Sequence, residues 1–201
     1  MIRLIDLAIA GLTRLSTFCV WIGGGLLVLL SLGVGVEVLL RRFANHSLGG
    51  LDELGGYTLA IVGSIALTET LLHRGHIRID LIHARLPRAG QAFLDIVALV
   101  GMIVFFGLLL NYATLLLDRS LTMGTRSMTP MAVLLWIPQS LWYAGLVMFM
   151  VTAALLLARS VLALASGDFA TSQALIGARS ADDELAEELE LSHIAAGEVR
   201  T

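Results

Sequence analysis

The sequence predicts an all-α integral membrane protein with four transmembrane helices. Of its 201 residues 57% are hydrophobic and 14% are charged, and the mean hydropathy is +0.87, a balance outside that of soluble globular domains. Four long apolar runs lie at 16–40, 54–72, 93–117 and 132–158. Each has about the 20 apolar residues that a helix needs to cross hydrocarbon, where no water satisfies backbone N–H and C=O groups.

Two regions follow. Residues 1–165 form a four-helix membrane domain, and 166–201 form an acidic tail. Nothing in this layout leaves room for a separate domain holding an active site, so no catalytic, cofactor or metal residues are assigned and the chain is read as a non-enzyme. The single Cys19 lies inside the first run, where it acts as a small apolar residue. The first run is longer than the roughly 7–15 residues of a secretory h-region and lacks a small-x-small cleavage pattern, so it is expected to be retained as a span.

In the first span Gly23, Gly24, Gly25, Ser31, Gly33 and Gly35 recur among leucines and valines. Small residues let helix backbones approach closely, which is a main source of association in lipid. Glu37 stands four residues before Arg41, so the two are spaced to pair on one helix face, and Arg42 follows.

The second span opens L-D-E-L-G-G-Y at 51–57. Asp52 and Glu53 fall in the first turn, where the free N–H groups and the positive dipole end favour carboxylates. Capping is one reading of the pair and a partner salt bridge the other; Tyr57, one turn on, joins this group of candidate contacts. Towards the far end Glu69 is spaced to bond Arg74 or the arginines beyond it.

The loop after this span carries the most distinctive local pattern, H-R-G-H-I-R-I-D at 73–80. Gly75 permits a turn out of the helix. From His76 to Asp80 polar and apolar residues alternate, as in an extended segment, and a short amphipathic turn capped by Asp80 follows before Pro87 opens the next helix. This segment is expected to lie along the membrane surface. Its histidines make a poor metal site, because H-x-x-H shares a face only if the helix runs through Gly75 and no cysteine assists. All five histidines lie outside the apolar cores, which excludes bis-histidine haem ligation at membrane depth.

The third span holds Asp95 near its start and Asn111 with Tyr112 near its end, positions where helix ends or interface water can meet a polar group. The fourth begins T-P-M-A-V-L-L-W-I-P-Q-S-L-W-Y at 129–143. Pro138 either kinks a helix that starts near Ala132 or marks where the span begins, and Trp142 with Tyr143 then lies nearer the interface.

Orientation follows from arginine alone, since there is no lysine. With the N-terminus in the cytoplasm, Arg3, Arg14, Arg74, Arg78, Arg85, Arg88, Arg159, Arg179 and Arg200 are inside, against Arg41, Arg42, Arg119 and Arg126 outside. The positive-inside rule therefore places both termini in the cytoplasm. Residues 166–201 hold eight acids and two arginines, net −6, which leaves 11 arginines and eight acids, net +3, in the rest. The tail is read as solvated and mobile, with a weak partner-docking helix through Leu185, Leu189 and Leu191 as the alternative.

The order of these features resembles the small, four-span Q-type membrane subunit of a tripartite ATP-independent periplasmic (TRAP) transporter. The resemblance covers about residues 1–165. It is carried by four spans, by Asp52-Glu53 opening the second, by G-H-I-R-I-D at 75–80, and by the T-P of 129–130 and the I-P through W-Y of 137–143. The G-H-x-x-x-D element after the second span is the most specific piece. Leu51 stands where family members often carry tryptophan, and Ala144-Gly145 where a further proline is common.

This resemblance implies a secondary transporter of the bacterial inner membrane, working as a symporter. A periplasmic solute-binding protein delivers a solute, typically a carboxylate, and a large multi-span permease subunit carries the substrate and coupling ions. The small subunit would be a scaffold in the bilayer beside that permease, with no nucleic acid involved. The implied partner contacts are Arg41, Arg42, Asp52, Glu53 and Tyr57 at one end and Arg74, His76, Arg78 and Asp80 at the other. Two rival classes need features the spans lack: an autonomous oligomeric transporter needs a mid-depth ionisable group, and a redox-enzyme anchor needs buried histidines.

Overall fold

The computed structural model describes residues 2–47, 49–75, 86–177 and 189, and apart from one isolated bridge their regular structure is helical. Five helices follow in order: α1 Ile2–Phe43, α2 Leu51–Leu72, α3 Arg88–Met123, α4 Trp136–Ala165 and α5 Phe169–Ile176. The first four are long and apolar enough to cross a membrane.

Two helices, α1 and α3, outrun the spans expected of them at both ends. The 42 residues of α1 measure about 63 Å, twice a hydrocarbon core of about 30 Å. Its extra N-terminal turns are held by tertiary contacts, because Asp6 pairs with Arg159 of α4 at 2.9 Å and Ile9 packs on the hydrophobic core. At its other end Arg41 and Arg42 occupy the last turn, where the negative dipole end favours cations. α4 begins at Trp136, so Pro138 sits in the first turn, where its missing N–H has no intrahelical partner to lose. Pro138 therefore marks the start of the helix; it does not kink one.

The turns differ in detail from expectation. α2 ends at Leu72, and Arg74, not Gly75, takes the left-handed backbone conformation, with φ 55°. Pro87 is the residue before α3 and lies outside its first turn. Gly124 closes α3 in a left-handed cap at φ 57°, as glycine does without steric cost. The α3–α4 connection is a small hairpin: Ser127 N donates to Val133 O at 2.9 Å and Leu135 N to Thr125 O at 3.0 Å.

In space the spans line up as α1, α2, α4, α3, with α1 also touching α4. α4 is the central member and has nine buried residues against three in α1. α1 and α3 are edges with long exposed apolar faces. Glycine sets two close approaches. A Cβ at Gly23 would stand 2.8 Å from the Val62 side chain, and one at Gly145 would stand 2.8 Å from the Ser64 Cβ.

The hydrophobic core gathers towards the Arg159 end and contains Leu71, Leu99, Phe149, Ala153, Leu156 and Ile176, with the Phe106 and Phe149 ring centroids 4.5 Å apart. Ile176 belongs to α5. The packed part of the chain thus runs past the boundary expected at residue 165, because the apolar residues of α5 fold back on α3 and α4. Asp168 caps α5 by accepting from Thr171 N at 3.0 Å.

Candidate functional site

The polar side chains gather at the two ends of the helix layer and at one point between α1 and α2. At the Arg41 end, Glu37 is buried and accepts from Arg41 at 3.0 Å and from Ser47 at 2.7 Å. The i, i+4 pairing expected from the sequence is therefore made, and a serine beyond the helix completes it. Arg42 is exposed and makes no side-chain bond among the described residues.

On the same side of the layer Glu53 does not cap its helix. The N-cap is Gly50, with φ 91° and no side-chain cap bond. Glu53 accepts instead from Tyr57 at 2.6 Å and from Thr129 in the α3–α4 hairpin. Met131 of that hairpin lies over Gly50, where a Cβ would stand 2.5 Å from its Cγ. Glu53 and Tyr57 thus latch the hairpin to the start of α2. Asp52 points outward, exposed and without a bond among the described residues.

Between α1 and α2, Glu69 bonds neither Arg74 nor a later arginine among the described residues. It accepts from Ser16 and, at 2.9 Å, from Thr17, both on α1, and lies 3.2 Å from the His73 ring. Ser16 is completely buried. Two neighbouring hydroxyls on one helix and a carboxylate on the next satisfy each other between the helices near one end of the spans, which is the economical way to keep such groups between apolar helices. The exposed hydropathy of the sequence hides Ser16 and Thr17; the adjacent pair of hydroxyls at the start of the run was the only available signal.

At the Arg159 end Arg74 donates to the backbone carbonyl of Gln173 at 3.5 Å, and the Gln173 amide donates to Gln91 of α3 at 2.6 Å. Neither glutamine was singled out from the sequence. Asp95 is 2% exposed, so it lies within the packed helices and not at an interface. His76, Arg78 and Asp80 lie outside the described residues. Of the candidate contacts, then, Arg41, Glu53, Tyr57 and Arg74 are engaged within the chain, while Arg42 and Asp52 remain open.

Between these ends the layer is apolar. A groove of about 420 Å³ is walled by α1 and α4 over α2, with Leu12, Cys19, Ile61, Ile65 and Met148 among its lining residues. Among the described residues no group of three or more His, Cys, Asp or Glu side chains is placed to hold a metal ion. The arrangement can fix helices against one another and present apolar faces.

A family model described as the DctQ component of tripartite ATP-independent periplasmic transporters matches residues 27–163, about two thirds of the chain. No curated protein and no solved structure is matched. The match begins inside α1 and ends just before the end of α4; it takes in Glu37, Glu53, Glu69 and Gln91 but not Ser16, Thr17 or Gln173, and the chain belongs to the DctQ family of TRAP transporter components.

Proposed function

We propose that this chain is the small scaffold subunit of a TRAP importer in the bacterial inner membrane, with both termini cytoplasmic. The large permease subunit beside it carries the solute and the coupling ions, a periplasmic binding protein delivers the solute, a carboxylate, and an ion gradient drives uptake by symport. The observation that carries this reading is the form of the helix layer. α1 and α3 leave long apolar faces open, while Ser16, Thr17 and Glu69 between the first two spans are taken up in holding helices together. Such a layer supplies surface for a membrane partner and lipid and no ligand set of its own for a solute.

On this reading Arg42 and Asp52 are the orienting contacts left free on the periplasmic side, and His76, Arg78 and Asp80 serve on the cytoplasmic side. The test is co-expression of the tagged chain with the large subunit and binding protein, followed by reconstitution into proteoliposomes. Uptake of a carboxylate under a sodium gradient should require this chain, and Glu37→Gln should leave its sodium dependence intact. Transport by the large subunit alone at full rate, or an altered sodium stoichiometry in Glu37→Gln, would overturn the scaffold role. Orientation is tested in a Cys19→Ser background: an impermeant thiol reagent should label a cysteine at Thr125 in intact cells and spare one at Arg78.

A further inference from the structure

One side of α1 repeats every seven residues against the rest of the chain. Ile9 packs on the core, Ser16 bonds Glu69, Gly23 lies under Val62, Leu30 meets Gly55, and Glu37 is buried. Five residues on, about 140° round the helix, runs a second seven-residue stripe of Leu7, Arg14, Trp21 and Val28. It faces away from α2 and α4: Leu7 is 69%, Trp21 78% and Val28 61% exposed, and Phe18 beside them is 64% exposed. Arg14 is exposed too, and its guanidinium has no hydrogen bond or ion pair among the described residues.

Arg14 is therefore a cation without a counter-charge among the described residues, on an outer face whose other charge, Arg3, is also a cation and lies about 16 Å further towards the N-terminus. The acids of α1 are engaged elsewhere, Asp6 with Arg159 and Glu37 with Arg41 and Ser47. Arg14 also bounds the stretch 15–36, which has no charged residue and measures about 33 Å, close to the thickness of the hydrocarbon core. Its guanidinium thus falls at the level of the lipid headgroups of one leaflet.

We propose that Arg14 and the stripe beside it bind an anionic phospholipid. The lipid phosphate accepts paired hydrogen bonds from the planar guanidinium, and an acyl chain lies along Phe18 and Trp21, the latter about 10 Å deeper in the bilayer. A zwitterionic lipid brings its own ammonium, so the uncompensated charge of Arg14 favours a headgroup that is net negative. This site does not depend on the transport reading.

Trp21 reports on it directly. The full-length chain is placed in phosphatidylcholine nanodiscs carrying a minor fraction of chain-dibrominated phosphatidylglycerol or, in parallel, dibrominated phosphatidylcholine. The Trp21 signal is the difference between the protein and its Trp21→Phe variant, which removes the contributions of Trp136 and Trp142. Phosphatidylglycerol should quench Trp21 with roughly fivefold preference, the scale expected of one basic residue near an anionic surface. Arg14→Gln should abolish the preference, and Arg14→Lys should keep part of it. Equal quenching by the two lipids in the unmodified chain, or a preference that survives Arg14→Gln, overturns the site. So does loss of Trp21 quenching in the complex with the large subunit, since a protein surface then covers the stripe.

Discussion

Thr17 on α1 donates its hydroxyl to the Glu69 carboxylate on α2 at 2.9 Å, across 52 positions of sequence, and Ser16 bonds the other carboxylate oxygen. The first two helices are thereby joined near one end of the spans at a fixed register. A sliding of one turn would bring Leu12 and Thr13, or Val20 and Trp21, to these places and so lose one or both hydroxyls. Interhelical hydrogen bonds in membranes contribute about 0.6 kcal/mol on average and up to about 1.7 kcal/mol, because the separated helices find other partners.

A double-mutant cycle of Thr17→Val and Glu69→Gln should therefore give a coupling of about 0.6–1.7 kcal/mol in reversible unfolding from mixed micelles. Sodium dependence of uptake should be unchanged in either variant. A coupling of zero would mean that Ser16 and His73 hold the carboxylate without help from Thr17.

The contact between Thr17 and Glu69 also shows what the sequence could and could not disclose. The four spans were legible because about 20 apolar residues have few other structures open to them. Their ends were less so: Ile2 to Leu15 looks interrupted by Arg3, Asp6 and Arg14, and the Asp6–Arg159 pair, 153 positions apart, together with Ile9 on the core explains why the helix continues there. Glu37 with Arg41 was readable because its spacing is local. Glu53 with Thr129 and Gln91 with Gln173 were not, since periodicity along one helix carries no information about which neighbour it meets. Asp52-Glu53 at a helix start suggested capping on general grounds, and the hairpin that competes for Glu53 arises only from the packing of α2 and α4.

Gly145 is the tightest point of the α2–α4 contact. A Cβ there would stand 2.8 Å from the Ser64 Cβ and 3.1 Å from the Ser64 backbone carbon, both below ordinary contact. Gly145→Ala should cost on the order of 1–3 kcal/mol as helices already in contact are forced apart. Adding Ser64→Gly should recover only part, because the backbone clash persists. Thermal unfolding in detergent that is unaltered by Gly145→Ala would show that the helices separate freely.

Glu53 governs the α3–α4 hairpin. Removing its acceptor in Glu53→Ala should release Thr129 and uncover the hairpin, while the bonds internal to the hairpin remain. Hydrogen exchange at the amides of Ser127 and Ala132 should then quicken, with exchange in the middle of α4 unchanged. The same quickening is expected of Thr129→Val. Unaltered exchange in both would assign the hairpin's position to the packing of Met131 on Gly50.

α5 turns the question of the acidic tail into a measurement of where the fold ends. Ile176 is 2% exposed in the core with Leu71, Leu99 and Phe149, and Gln173 joins Gln91 of α3 to the end of α2 through Arg74. Truncation after Gly177 keeps these contacts and should leave thermal stability and co-purification with the large subunit unchanged. Truncation after Gly167 removes α5 together with the Asp168 cap and uncovers the apolar side chains beneath Ile176. Burying that isoleucine contributes about 1.5–3 kcal/mol where water is the alternative and less where lipid takes its place, so the longer truncation should lower the unfolding temperature measurably. Ile176→Ala in the full chain should reproduce part of the loss. Equal unfolding temperatures for the two truncations would show that α5 rests on the bundle without stabilising it.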